Sequence, residues 1–98
     1  MKVRVYRQHN IDVVTIRHRI DAVAARDIEK FGHLASSIEG GWHDNTLTME
    51  LSAYGLDGVI ETQVEIDSVT VVANFPVALA LFKNKIKHMI EFRIDRML

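Results

Sequence analysis

The change in hydrophobic period along the chain is the feature that most restricts its fold. Two long segments place apolar residues at every third or fourth position, which is typical of amphipathic helices. The remaining segments alternate apolar and polar residues, which is typical of strands with one buried face. The order of these segments predicts an α+β two-layer sandwich, β-α-β-β-β-β-α, in a single domain over residues 1–98. Both helices should cover one face of a mostly antiparallel sheet.

The two predicted helices carry the clearest pattern. The first spans 12–31, with Asn10 and Asp12 as possible N-terminal caps and Gly32 at the position of a C-terminal cap. The last contains Pro76 in its first turn and continues to the C-terminus. Their apolar stripes consist of Val13, Ile16, Ile20, Val23, Ala24, Ile28 and Phe31 in the first helix, and Leu79, Phe82, Ile86, Met89, Ile90, Ile94 and Met97 in the last.

Five strands are predicted around these helices. They cover residues 2–7, 33–42, 46–52, 59–66 and 69–75, and Gly40-Gly41 indicates a bulge or a turn within the second. Turns are predicted at residues 43–45, 55–58 and 67–68. Inward side chains should be Leu47, Met49, Leu51, Ile60, Thr62, Val64, Ile66, Val69, Val71, Ala73 and Phe75. The outer face should carry Arg4, Tyr6, Thr48, Glu50, Glu61, Gln63, Glu65 and Thr70.

Charge and composition argue against several classes of function. Lys and Arg total 12 and Asp and Glu total 13, so the net charge of -1 does not predict nucleic-acid binding. The chain has no cysteine, and its five histidines lack metal-ligand spacing, so we expect no metal and no cofactor. The longest apolar run, Val77 to Phe82, is far shorter than the roughly 20 residues that span a bilayer. The first residues lack the apolar core of a signal peptide, so we expect a cytoplasmic protein.

Each predicted helix has one charged residue inside its apolar stripe. Asp27 lies in the first stripe and Arg93 in the last, and a buried charge is costly unless it is paired. We predict that the two meet between the helices, or together line a polar spot in a pocket. The alternative is that each lies near a helix end and extends into water. Arg17 is a weaker candidate partner for Asp27.

The residues Arg7, Gln8 and His9 follow the first strand. His9 has the side chain of a general base. No nucleophile or second acid can be identified beside it, so we expect His9 to form hydrogen bonds at the junction between strand and helix. No catalytic residue is predicted.

A second line on the last helix indicates a surface for a partner. Leu81 and Phe92 project away from the main stripe, with Lys85 and His88 between them. Such a line predicts a homodimer, with Trp42 as a further anchor. The alternative is two scattered exposed apolar residues, which are common.

The layout resembles one bacterial family, the polyhydroxyalkanoic acid system proteins, also called polyhydroxyalkanoate granule-region proteins. The resemblance covers nearly the full length. Its elements are Arg7-Gln8-His9, the helix ending at Phe31, Gly55-Leu56-Asp57-Gly58, Phe75 before the last helix, and the apolar end at Leu98. It implies a non-catalytic, granule-associated accessory protein that acts through protein or granule-surface contacts, and it assigns no catalytic residue.

Two other functions remain open from the sequence. One is a small-ligand-binding or cyclase-like protein with a pocket between the sheet and the helices. The other is a ribosome-associated RNA-binding factor, since the layout is also similar to the β-α-β-β-β-α order of ribosome-hibernation factors. The near-neutral charge argues against RNA binding, because such binding depends on basic surfaces.

Overall fold

The structure, a computed structural model that describes residues 1–98, contains the helices and strands in the predicted order. The strands are β1 (Lys2–Gln8), β2 (Ser37–His43), β3 (Thr46–Ala53), β4 (Leu56–Val64) and β5 (Ser68–Asn74). The α-helices are α1 (Val13–Phe31) and α2 (Lys83–Met97). Two 3-10 helices, Gly32–Leu34 and Val77–Phe82, follow α1 and precede α2. Neither α-helix combines the length and the apolar composition needed to cross a membrane.

The five strands form one antiparallel sheet in the order β1-β5-β4-β3-β2. Strands β2 to β5 follow one another as a meander, and β1 joins the free edge of β5. The register aligns inward side chains across neighbouring strands: Val5 lies opposite Val71, Val71 opposite Thr62, and Thr62 opposite Leu47. The predicted α+β class and element order are therefore confirmed.

The turn between β3 and β4 is tighter than predicted. It consists of Tyr54 and Gly55, with φ of 54° and 75°. Two consecutive residues with positive φ are typical of the two-residue hairpin turn that matches the twist of the flanking strands. Leu56, Asp57 and Gly58 therefore belong to β4, and the predicted loop over residues 55–58 is wrong beyond Gly55.

Other boundaries also differ from the prediction. Residues 33–34 lie in a 3-10 helix, so β2 begins only at Ser37. Gly40 and Gly41 pair continuously with β3 instead of forming a bulge or turn, and a Cβ at Gly40 would collide with the Thr48 carbonyl oxygen. Ile66 lies in the loop after β4 and is 83% exposed, so its predicted inward position is wrong.

The ends of the helices differ as well. Gly32 follows α1 with φ of -59°, which is a right-handed helical conformation and not the left-handed one of a glycine C-terminal cap. The segment after Pro76 first forms a 3-10 helix and becomes α-helical only at Lys83.

Most of the buried core lies in one half of the space between the helices and the sheet, which we call the core half. The core half lies where β1 ends and β5 begins, and the opposite half is where β1 begins and β5 ends. Val3 and Ala73 are also buried, although they lie in the opposite half. The buried cluster contains Val5, Ile16, Ile20, Leu47, Val64, Val69, Val71, Ile94 and Met97. Thus only part of each helix packs fully on the sheet.

The connections of the helices explain this uneven burial. Helix α1 starts in the core half, and α2 ends there, so the two helices run in opposite directions. The Arg19 guanidinium donates to the Met97 carbonyl oxygen, which fixes the start of α1 beside the end of α2. The apolar stripes are therefore buried at one end, and each becomes exposed along its helix toward the opposite half.

Asp12 caps the first turn of α1. Its carboxylate accepts hydrogen bonds from the Thr15 backbone N–H, at 2.9 Å, and from the Thr15 hydroxyl, at 2.7 Å. Both bonds favour the charged form, so they hold the pKa of Asp12 below its ordinary value of 3.8.

Acid should weaken α1 through this cap. Because the pKa of Asp12 is lower in the folded chain, its contribution is complete above the ordinary value and is lost as pH falls through the folded value. Asp12→Asn keeps a capping acceptor but cannot titrate. Its free energy of unfolding should therefore decline less than that of wild type between about pH 5 and about pH 2. Urea unfolding at each pH measures this, and equal declines would contradict the prediction.

Two isoleucines of α1 should differ strongly in their importance. Ile16 is fully buried, whereas Ile28 is 44% exposed. Ile16→Ala should lower the free energy of unfolding by about 2–5 kcal/mol, because it removes buried methylenes and leaves a cavity. Ile28→Ala in the same helix is the matched control and should cost about 1 kcal/mol or less. Denaturant titration of both variants checks this, and similar losses would contradict the described core.

Candidate functional site

Asp27 and Arg93 meet between the two helices. The Arg93 Nε–H donates to Asp27 Oδ2 at 2.8 Å, and its Nη2–H donates to Oδ1 at 3.1 Å. The pair is bidentate, a geometry that fits the planar guanidinium to a carboxylate. Arg93 also donates to the Met89 carbonyl oxygen at 3.3 Å. The structure thus brings together the two charges that interrupt the apolar stripes.

The pair lies at the edge of the helix interface and is not sealed inside it. The side chains of Asp27 and Arg93 remain 40% and 30% exposed. The hydrogen bonds from Arg93 to Asp27 raise the pKa of Arg93 above its ordinary value, which favours the charged guanidinium. This arrangement links the helices electrostatically and leaves no free acid or base at the pair.

A double-mutant cycle should measure this link. Asp27→Ala and Arg93→Ala, singly and together, should give a coupling energy of about 0.2–1 kcal/mol, since water and salt screen a half-exposed pair. The same cycle with Arg17→Ala in place of Arg93→Ala should give a coupling near zero. Urea unfolding provides the free energies, and a larger coupling to Arg17 would contradict the observed pairing.

Arg7 joins the end of β1 to α2. Its Nη2–H donates to Glu91 and its Nε–H to Asp95, both at 2.9 Å, and Nη1–H donates to the Tyr6 carbonyl oxygen. The bonds to Glu91 and Asp95 raise the pKa of Arg7. Arg7 therefore positions α2 over the first strand. Both acidic side chains of α2 form ion pairs with it.

His9 satisfies backbone groups at the junction between β1 and α1. Its Nδ1 accepts from the Ile11 N–H at 3.1 Å, so Nε2 carries the proton and donates to the Glu65 carbonyl oxygen at 3.0 Å. The His9 backbone N–H also donates to the Asp67 carbonyl oxygen at 2.9 Å. The Nδ1 lone pair, which a general base would use, already accepts a hydrogen bond from Ile11. This contact supports the role of His9 at the junction between strand and helix.

Trp42 packs against α1. Its indole N–H donates to Asp21 at 2.8 Å, and the Arg17 guanidinium lies 4.3 Å from the ring centroid. Arg17 also donates to the Asn45 side chain at 3.3 Å, so it is not a partner of Asp27. Trp42 is half-buried and engaged within the chain, which favours a packing role over the predicted role as a partner anchor.

The outer face of the sheet carries two open, polar depressions. One, of about 460 Å³, is lined by residues 43–46, Thr48 and residues 63–65. The other, of about 240 Å³, is lined by residues 39–41, Thr48 and Glu50. Neither lies between the sheet and the helices, where the ligand-binding alternative would place a pocket. No group of three or more metal-ligating side chains is assembled anywhere in the chain.

The exposed ends of the two apolar stripes lie on the same half of the molecule, opposite the core half. Phe31 follows Asp27 by one turn on α1, and Met89 precedes Arg93 by one turn on α2, so both lie beyond the ion pair in the same direction. They are 42% and 46% exposed. We call this region the apolar end; its exposed residues are Ile28, Phe31, Leu34, Val77, Leu81, Phe82 and Met89.

The four residues predicted as a partner line are all exposed. Leu81 is 95% exposed and Phe92 is 60% exposed, and Lys85 and His88 also face solvent. Leu81 lies in the 3-10 helix before α2, so it does not continue the α-helical line of the other three. It instead forms part of the apolar end, while Phe92 packs beside Arg96, whose guanidinium lies 5.4 Å from the ring centroid.

Charge is unevenly distributed along the chain, a feature that the net charge conceals. Residues 31–82, which include β2 to β5, contain no Lys or Arg but seven acidic residues. Those residues are Glu39, Asp44, Glu50, Asp57, Glu61, Glu65 and Asp67. Residues 83–98 contain five basic residues and two acidic ones. The sequence-based interpretation missed this distribution because it used only the total, although the positions of Lys and Arg along the chain would have revealed it.

Comparison with known proteins gives one family. A family model described as "Putative polyhydroxyalkanoic acid system protein" matches residues 3–98, nearly the whole chain. No curated protein matches. Among solved structures, the chain is similar to the crystal structure of TTHA0849 from Thermus thermophilus, with 9% identity over 99% of this chain and 91% of that chain. The TM-score is 0.35, which is too low to inform either fold or function.

Proposed function

Since this chain belongs to the polyhydroxyalkanoic acid system protein family, we propose that it is a non-catalytic accessory protein of the bacterial storage-polyester system. It acts in the cytoplasm by attaching to polymer granules, through a granule protein or the granule surface. The observation that carries this proposal is the apolar end, where seven large apolar side chains are exposed on one half of the molecule.

The apolar end is suited to contact because its exposure does not compromise the fold. The main buried cluster lies in the other half of the molecule, and none of the side chains of the apolar end belongs to it. Leu81 and Val77 are 95% and 77% exposed, far more than residues at the margin of a core. Val77, Leu81 and Phe82 are exposed within one 3-10 helix, and groups of exposed apolar residues are typical of surfaces that bind another surface.

The polar groups named above support a non-catalytic role. Asp27, Arg93, Arg7 and His9 all form hydrogen bonds within the chain that fix the helices and one loop. A catalytic acid or base needs a group that is free to exchange a proton with a substrate. These residues are explained by their structural contacts.

Granule attachment can be tested by co-sedimentation. The full chain, expressed in a polymer-producing cell, should sediment with isolated granules, and Leu81→Ser should lower the affinity for granules at least about tenfold, since a buried leucine side chain contributes about 1.5–3 kcal/mol. Quantitative immunoblotting of the granule and supernatant fractions gives the ratio.

Ile66→Ser is the matched control. Ile66 is 83% exposed but lies in the loop between β4 and β5, on the core half of the sheet. This variant should sediment with granules as wild type does. Recovery of the wild-type chain only in the supernatant, or equal loss in both variants, would contradict the proposal.

A further inference from the structure

We propose that the apolar end, together with Lys83, Lys85 and Lys87, binds the surface of an anionic lipid layer. The inference rests on the proposed attachment function and names the chemistry of the surface that is bound. The proposed binding surface consists of exposed apolar side chains, many of them just before α2, and the unpaired lysines at the start of α2.

The lysines at the start of α2 are free to bind an external anion. None of the three forms an ion pair within the chain, and all three side chains are exposed. The two acidic residues of α2, Glu91 and Asp95, are bound by Arg7 at 2.9 Å. The positive charge of this segment is therefore not neutralised by neighbouring carboxylates.

The apolar side chains adjoin these lysines in the sequence and in the fold. Val77, Leu81 and Phe82 lie in the 3-10 helix that leads directly into Lys83, and Phe31 lies at the end of α1 in the same half of the molecule. On the same end of α1, the Lys30 ammonium lies 5.3 Å from the centroid of the Phe31 ring. Apolar side chains next to lysines are typical of segments that insert into the boundary between lipid headgroups and acyl chains.

The rest of the charge distribution gives the attachment an orientation. The acidic side chains Glu39, Glu50 and Glu61 lie on strands β2 to β4, and these strands contain no compensating Lys or Arg. A negative surface repels that layer and attracts the start of α2. The start of α2 therefore faces the lipid layer, and the acidic outer face of β2 to β4 is held away from it.

The same charges argue against a second copy as the occupant of this region. A symmetric dimer would place the same patch of each copy against itself. Lys83, Lys85 and Lys87 of one copy would then face those of the other, and like charges that approach each other destabilise an interface. An anionic lipid layer complements both the lysines and the apolar side chains.

Vesicle sedimentation tests the inference directly. Wild-type protein should bind vesicles of equal parts phosphatidylglycerol and phosphatidylcholine, and should bind pure phosphatidylcholine vesicles much more weakly. The triple variant K83Q/K85Q/K87Q should lose affinity on the order of a hundredfold, because each lysine changes binding to an anionic surface by about fivefold. Leu81→Ser should lose about tenfold.

Two controls separate this site from general effects. Arg4→Gln removes a positive charge from the outer face of β1, and Ile66→Ser removes an exposed apolar side chain on the core half. Both variants should bind anionic vesicles as wild type does. Circular dichroism should show the same helix content in every variant, so that lost binding reports the surface and not unfolding.

Specific outcomes would overturn the inference. These are equal binding to both kinds of vesicle, no binding to either, wild-type affinity of the triple variant, or a dimer in sedimentation equilibrium that Leu81→Ser dissociates. Binding to isolated granules without binding to anionic vesicles would leave the proposed function standing and remove this inference. Binding to anionic vesicles without binding to granules would leave this inference standing and remove the proposed granule function.

Discussion

The packing of Ile16 and Ile94 against the sheet determines where both helices lie. These side chains are almost completely inaccessible to solvent and belong to the same buried cluster as Val5, Val64 and Val69. Because the helices run in opposite directions, anchoring the start of one and the end of the other on the same half of the sheet leaves their remaining ends together on the other half. The exposed apolar end is thus a direct consequence of where the core is formed.

The ion pairs stabilise this arrangement without filling the uncovered half. Arg7 holds α2 over β1, and Asp27 with Arg93 holds the helices side by side. All of these side chains remain partly exposed, so they act at the margins of the packed region. The small core contacts each helix over only part of its length. The polar side chains orient the helices beyond that region. The surface that results is apolar and is bordered by the lysines at the start of α2.

The sequence allowed the fold, the family and the meeting of Asp27 with Arg93 to be predicted, because each depends on periodicity or residue order. The family prediction is confirmed by the match over residues 3–98. Periodicity shows which face of a helix is apolar but not how much of that face a neighbour covers, so Phe31 and Met89 were expected in the core. Alternation alone extended β4 to Ile66, although the strand ends at Val64.

Other features were missed for different physical reasons. Tyrosine is not a typical turn residue, so the Tyr54-Gly55 turn was placed too late in the chain. The contacts of Trp42 with Asp21 and Arg17 join residues that are distant in sequence, and no local pattern reports them. The uneven distribution of charge along the chain disappears when charges are summed, so a net value of -1 was taken as evidence against nucleic-acid binding and did not reveal the lysines at the start of α2.

The position of β1 beside β5 has a consequence for how the chain reaches this structure. Strands β2 to β5 can pair one after another with short loops, but Val5 must find Val71 across most of the chain. Pairing over such a distance slows folding, because a long loop must close before the contacts form. During synthesis β1 emerges first and remains unpaired until β5 is complete. Through that interval β1 could pair with a strand of another chain, and the charges of Lys2 and Arg4 hinder such misassembly.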